Sequence, residues 1–184
     1  MVDFKLTEQQ VMLRDMARKF AQEEIVPVRA ELDRDSDPHD GFSWELLRKA
    51  DALGLRTLSL KEKDGGIEAD IITRCIVGEE LATGDLGFAV CLDQIWKISG
   101  AIEKLCNDEQ KERFIPMFRD DPECVLSIGV TEPSGGSNYI PPIERKETLQ
   151  TRAVLKGDQW VINGSKCFVS NADLSKIYLV FAMT

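Results

Sequence analysis

Residues 128–138 read Ile-Gly-Val-Thr-Glu-Pro-Ser-Gly-Gly-Ser-Asn, and here a chain that is helical in pattern up to this point turns sheet-forming. The apolar strand pattern runs out at Thr131 and Glu132, Pro133 fixes the backbone, and Gly135 and Gly136 open conformations closed to other residues. A loop of this composition can turn several N–H groups toward one ligand. Thr131, Ser137 and Asn138 add short polar side chains beside those donors, a combination suited to a phosphate or to the polar edge of a flat heterocycle. The same residues also describe a surface turn between strands, the commoner meaning of clustered Gly and Pro. Both readings stay open at the level of the loop alone.

Working outward, Cys124 to Thr131 is the first strand, and Pro141 to Glu147 is a polar, exposed excursion after the Gly-rich turn. Thr151 to Leu155 is a second strand. Gln159 to Ile162 and Ser165 to Val169 flank Asn163-Gly164, the dipeptide most compatible with a two-residue type I′ hairpin. Ile177 to Met183 supplies a long apolar strand.

Before Asp120-Asp121-Pro122 the pattern is helical. Thr7 and Gln10 have the spacing of a capping box, and Val11, Met12, Met16, Phe20 and Ile25 recur at broadly helical intervals until Pro27 ends or kinks the run. His39, the single histidine, sits among Asp37, Pro38 and Asp40 and reads as a solvated turn residue rather than a catalytic one. Ser43 caps a second helix that Gly54 stops. Asp64-Gly65-Gly66 is a turn and does not have the spacing of a Walker loop. Ile71 to Leu81 forms a third helix, and Leu86 to Leu105 a fourth, apolar enough on most sides to be central. Glu79 and Glu80 point about 100° apart on a helix and do not form a convergent carboxylate pair. Asn107, with Gln110 three residues on, caps a fifth helix.

With 184 residues and a formal net charge of −9, the chain can bury a real core and is a poor match for nucleic acid or an anionic membrane. Its five cysteines are widely spaced and never in Cys-x-x-Cys form, so reduced thiols are expected. Charges in Met-Val-Asp-Phe-Lys stand where a secretory apolar region should be, and no apolar run has the length to span a bilayer. A cytoplasmic chain without membrane insertion is the expectation.

Several short motifs occur in a fixed order: Leu6-Thr7-Glu8-Gln9-Gln10, Leu53-Gly54-Leu55, Asp64-Gly65-Gly66, Glu79-Glu80-Leu81-Ala82, and Thr131-Glu132-Pro133-Ser134-Gly135-Gly136-Ser137. Trp160-Val161-Ile162-Asn163-Gly164-Ser165-Lys166 and Phe168-Val169-Ser170-Asn171 then follow. With these the chain resembles the acyl-CoA dehydrogenase family from about Phe4 to Thr184. The resemblance implies an α+β fold: an N-terminal α-helical bundle over 1–122, then a partial antiparallel β-barrel-like domain over 123–184, with the C-terminal helical domain absent. It implies FAD as cofactor. Ile128, Val130 and Thr131 would lie along the isoalloxazine, with Thr131 hydrogen-bonding the ring edge, and Ser137 would serve the pyrophosphate or the nearby CoA moiety. Phe168 would pack against the flavin, and Ser170 would hydrogen-bond near its N5 and O4 edge.

The implied reaction is α,β-dehydrogenation of an acyl-CoA thioester. Its implied partners are the acyl-CoA substrate, an electron-transfer acceptor, and either further copies of the chain in a homo-oligomer or a complementary chain. The family's base is a glutamate of the C-terminal helical domain, so no catalytic residue is assigned here and the isolated chain is expected to be inactive. Two alternatives share the scaffold: a noncatalytic interaction or assembly protein, and a relative of the acyl-CoA oxidases or flavin monooxygenases. Departures from the family pattern are Ile128 where many relatives carry an aromatic or another residue against the flavin, Asn138 where aspartate is common, and Lys61-Glu62-Lys63 in place of a more usual Pro-Glu turn.

Overall fold

The computed structural model describes residues 5–34, 41–136 and 149–184. His39, Ser137, Asn138 and the excursion over 141–147 lie outside the described residues. Helix α1 (Glu8–Phe20) begins with the capping box read from the sequence: Gln10 N donates to Thr7 Oγ1 at 3.2 Å and Thr7 N to Gln10 Oε1 at 3.0 Å. Its end widens into a π turn (Ala21–Ile25), with Val26 N donating to Ala21 O just before Pro27, which has no N–H to give. A short α2 (Arg29–Leu32) follows.

Ser43 caps α3 (Trp44–Ala52), and Gly54 ends it in a left-handed conformation (φ +73°). Asp70 and Asp85 cap α4 (Ile71–Gly84) and α5 (Leu86–Leu105). Gly84 lets α4 lie close on the π turn, because a Cβ there would stand 3.0 Å from Ile25 Cβ and 3.2 Å from Ala21 Cβ. Across the same helix pair Arg18 makes a two-pronged bond to Glu80. Asn107 and Gln110 form the second capping box, opening α6 (Asp108–Arg119).

The core gathers on α5. Trp96 is buried and its indole N–H donates to Leu55 O at 2.7 Å. Arg56, also buried, is made tolerable by partners on every side: Asp51 Oδ1 (2.7 Å), Phe118 O (2.8 Å), Arg119 O (3.2 Å), and the Phe118 ring beneath its guanidinium at 4.3 Å. It thereby ties the connector after α3 to the end of α6.

Strand β1 (Val125–Gly129) continues this core and pairs in parallel with β4 (Ser175–Val180), Leu126 opposite Ile177 and Ile128 opposite Leu179. Those four residues pack toward the helices, and by strand alternation Ser127, Gly129, Tyr178 and Val180 face the other way. Strands β2 (Arg152–Lys156) and β3 (Gln159–Asn163) form an antiparallel hairpin. The α+β arrangement of a helical bundle leading into a partial sheet is therefore present, with antiparallel pairing in the hairpin and parallel pairing between β1 and β4.

The hairpin turn differs from the sequence expectation. Lys156 pairs with Gln159, so Gly157-Asp158 is the two-residue loop, with Gly157 at φ +66° as a type II′ turn wants at its first position. Asn163-Gly164 ends β3 instead. Gly164 is needed there because a Cβ would sit 2.6 Å from Thr151 Cα. The expected strand over Ser165 to Val169 is irregular backbone.

Candidate functional site

Beyond β1 the Thr-Glu-Pro segment closes on itself. Glu132 N donates to Gly135 O at 2.7 Å and Gly135 N to Glu132 O at 3.0 Å, leaving Pro133 and Ser134 at the tip. A cradle of converging N–H groups is thus not formed by Glu132 and Gly135, which use theirs on each other. Gly136 serves a close approach rather than an unusual φ: a Cβ on it would lie 3.1 Å from Thr131 Oγ1 and 3.2 Å from Thr131 Cγ2.

The second motif, around Lys166 and Phe168, folds directly against the first. Cys167 N donates to Thr131 O at 2.9 Å, and the Lys166 ammonium reaches Val130 O at 3.1 Å and Glu132 Oε1 at 2.8 Å. Glu132 itself is 2% exposed. Its Oε1 also accepts from Thr151 Oγ1 (2.6 Å) and Thr151 N (2.8 Å), and its Oε2 accepts from Gln150 N (2.6 Å). Burial alone would raise the carboxyl's pKa, but Lys166, the Thr151 hydroxyl and the two backbone N–H groups outweigh it and hold the group down at about 2. Glu132 is an ionised anchor at any ordinary pH.

Over this anchor the surface is apolar and open. Phe168 is 93% exposed and holds φ +54°, a conformation that costs a bulky L residue about 1 kcal/mol. A cleft of about 360 Å³ lies beside it, lined by Gly129, Lys166, Cys167, Val169, Tyr178 and Val180 among others. Asn171, also at positive φ (+65°), fastens the following turn by donating from Nδ2 to Cys91 O (3.1 Å) and Leu126 O (3.2 Å).

Of the residues singled out in the sequence, Val130 and Thr131 are half-buried where β1 ends, and the segment carrying Phe168 lies alongside them. Ser170 is exposed in the turn that follows. Ile128 is half-buried and packs toward the helices, on the strand face opposite Gly129 and the cleft. Ser137 lies outside the described residues. Sequence reasoning passed over Glu132, Thr151 and Asn171. An acid stands in one motif and a lysine in the other, but nothing local in the sequence pairs Glu132 with Lys166.

A second cavity, of about 480 Å³, opens among α2, α3 and α5. Much of its polar lining is already engaged: Arg29 donates to Thr83 O and Gly84 O, Asp85 caps Phe88 N, and Asn171 holds Cys91 O. The cleft at Phe168 remains the better candidate, because there an aromatic side chain stands uncovered beside a fixed base.

Comparison with known proteins agrees with this architecture. Residues 7–120 match the acyl-CoA dehydrogenase N-terminal domain and residues 127–184 the acyl-CoA dehydrogenase middle domain. The chain belongs to the acyl-CoA dehydrogenase family. Among its relatives, the short-chain specific acyl-CoA dehydrogenase of Clostridium acetobutylicum is 31% identical over 185 aligned positions, covering 100% of this chain and 45% of the relative. The structure of butyryl-CoA dehydrogenase from Megasphaera elsdenii superposes with a TM-score of 0.82 at 29% identity, over 100% of this chain and 46% of that one. An acyl-CoA dehydrogenase complexed with FAD from Bacillus anthracis gives a TM-score of 0.82 at 25% identity, over 99% of this chain and 30% of that one. The chain spans less than half the length of each of these proteins. No helix among its described residues is long and apolar enough to cross a membrane.

Proposed function

We propose that this chain supplies the helical part and one wall of the flavin site of an acyl-CoA dehydrogenase, acting on an acyl-CoA thioester with FAD as cofactor. What carries the reading is the joining of the two motifs: Cys167 bonded to Thr131 and Lys166 to Glu132 set an exposed Phe168 beside a strand end that carries a threonine hydroxyl. A flat heterocycle suits that surface, since an uncovered aromatic offers a stacking face and short hydroxyls at Thr131 and Ser170 offer edge contacts. Support also comes from the relative solved with FAD. The flavin, when bound, would accept the hydride of the dehydrogenation.

The residues of this chain have binding and orienting roles. Val130 and Thr131 flank the ring edge, Phe168 packs on the ring, Ser170 serves its polar edge, and Ser137 serves a phosphate or the CoA moiety. Ile128 acts from behind the strand, through the helix-facing side on which it packs. Lys166 is turned inward on Glu132, so it is not the cation for a pyrophosphate. A groove of about 370 Å³ between α4 and α5, apolar along Ile71, Ala82, Leu86 and Val90 and charged at Arg74, Asp93 and Lys97, suits an acyl chain on its apolar side.

Proton abstraction is not assigned to any residue here. Glu132, the carboxylate that ties the two motifs together, is ionised, buried and hydrogen-bonded through both oxygens, which makes it an anchor and not a base. The division into a helical domain over 1–122 and a sheet domain over 123–184 is part of the same reading. So are a cytoplasmic setting, which the free cysteines suit, completion by further copies or a second chain, and an external electron acceptor. Addition of a short-chain acyl-CoA to the FAD-loaded full protein under anaerobic conditions tests it. Bleaching of the visible flavin band is expected; an unbleached flavin across short and long acyl-CoAs would remove the reaction, and rapid reoxidation by oxygen would point to an oxidase.

A further inference from the structure

Glu132 gathers three separate segments onto one carboxylate. Lys166 brings in the irregular stretch before Phe168, Thr151 and Gln150 bring in the start of β2, and Glu132 itself directly follows Thr131. Lys166 also holds Val130 O, so the cation grips both sides of Thr131. Among the described residues, this clamp and the adjacent Cys167 to Thr131 bond are what link Thr131 to the segment carrying Phe168. Buried, charge-assisted hydrogen bonds of this kind tolerate little displacement, because moving one partner leaves an ion without compensation.

We propose that Glu132 is a positioning residue for the flavin ring: through Lys166 and Thr151 it fixes how Thr131 and Phe168 stand relative to each other. The inference rests on the flavin reading above and adds to it a residue that touches no cofactor. Thr151 belongs to the same device, since its side chain and its backbone both bond Glu132 Oε1, and Gly164 leaves room for it, because a Cβ there would stand 2.5 Å from Thr151 Oγ1. A shift of the clamp moves the ring's edge donor and its packing face apart, which alters affinity and the electronic surroundings of the ring together.

The test is titration of the full, flavin-free chain with FAD, followed by flavin fluorescence and by the position of the visible absorption band, with thermal unfolding measured in parallel. Wild type is expected to bind. Glu132→Gln is expected to weaken binding about tenfold with a displaced visible band, and Thr151→Val about threefold, each as the loss of one or more charge-assisted bonds. Glu132→Asp, which keeps the charge on a shorter arm, is expected to fall between Gln and wild type. Folded variants with wild-type affinity and an unchanged band would overturn the proposal and leave Glu132 a purely structural anchor. Should Glu132→Gln fail to fold, Thr151→Val decides, with unchanged affinity overturning the proposal and weakened affinity with a shifted band supporting it. If wild type itself binds no FAD, the flavin reading fails first, an outcome separate from a variant that binds as wild type does.

Discussion

In the helical part a core of large apolar side chains is covered, Trp96, Phe118, Leu92 and Ile95 among them, although Ile71, Leu86 and Leu105 on its surface are exposed, and even the charged Arg56 lies inside with its donors engaged. In the sheet-forming part the backbone is just as firmly tied, by the Glu132 clamp and by Asn171, yet Phe168, Trp160, Leu155 and Ile162 stand in solvent. Each region has a deeply buried ion held by several partners, Arg56 in the first and Glu132 in the second. What differs is what lies over it. The Phe118 ring and the surrounding core close the space around Arg56, whereas the surface beside the Glu132 clamp is a fixed base left open among the described residues. A covered core stabilises; an apolar surface on a rigid base is suited to binding.

Substitutions can sharpen that contrast. Trp96→Ala should cost the most, about 4 kcal/mol in denaturant unfolding, because it empties a ring-sized space and orphans Leu55 O. Arg56→Met should follow at about 3 kcal/mol, since it leaves Asp51 and the Phe118 and Arg119 carbonyls without their donor. Glu132→Gln should cost about 2 kcal/mol at neutral pH. Its pH dependence has a definite sign: with the folded pKa depressed to about 2, the ionised group's contribution is complete above the ordinary value of 4.5 and is lost as pH falls toward 2. Wild type should therefore lose stability across that window faster than Glu132→Gln, as read by unfolding at stepped pH. Trp160→Ser, at a ring 57% exposed, should move stability by less than about 0.5 kcal/mol. A large effect there would show that the hairpin face is already covered in the folded chain.

Local signals carried much of the helical part into view. Thr7 with Gln10 and Asn107 with Gln110 form the two capping boxes expected, Ser43 caps its helix, and Gly54 stops it at positive φ, because capping depends on residues three or four apart. The sheet part was legible only where local. Gly157-Asp158 makes the hairpin because Val154 opposes Val161 and Leu155 opposes Trp160, a matter of register that the dipeptide Asn163-Gly164 does not reveal. Parallel pairing of β1 with β4 joins residues about fifty apart, and no local pattern encodes that. At the candidate site the two motifs could be read, and so could Thr131 and Phe168. The Glu132 clamp could not, because it needs Thr151 and Lys166 brought together by folding. Nor does sequence alternation say that Ile128 faces the helices while Gly129 faces the cleft.

The claim that the open surface at Phe168 is a binding wall is met most directly by titrating FAD into the full wild-type chain, Phe168→Ala and Trp160→Ser side by side. Both rings are exposed and neither holds the core, so stability should be alike in all three. Phe168→Ala is expected to weaken FAD binding about fivefold, the worth of one aromatic stacking contact, while Trp160→Ser binds as wild type. Equal affinity for wild type and Phe168→Ala would contradict the assignment.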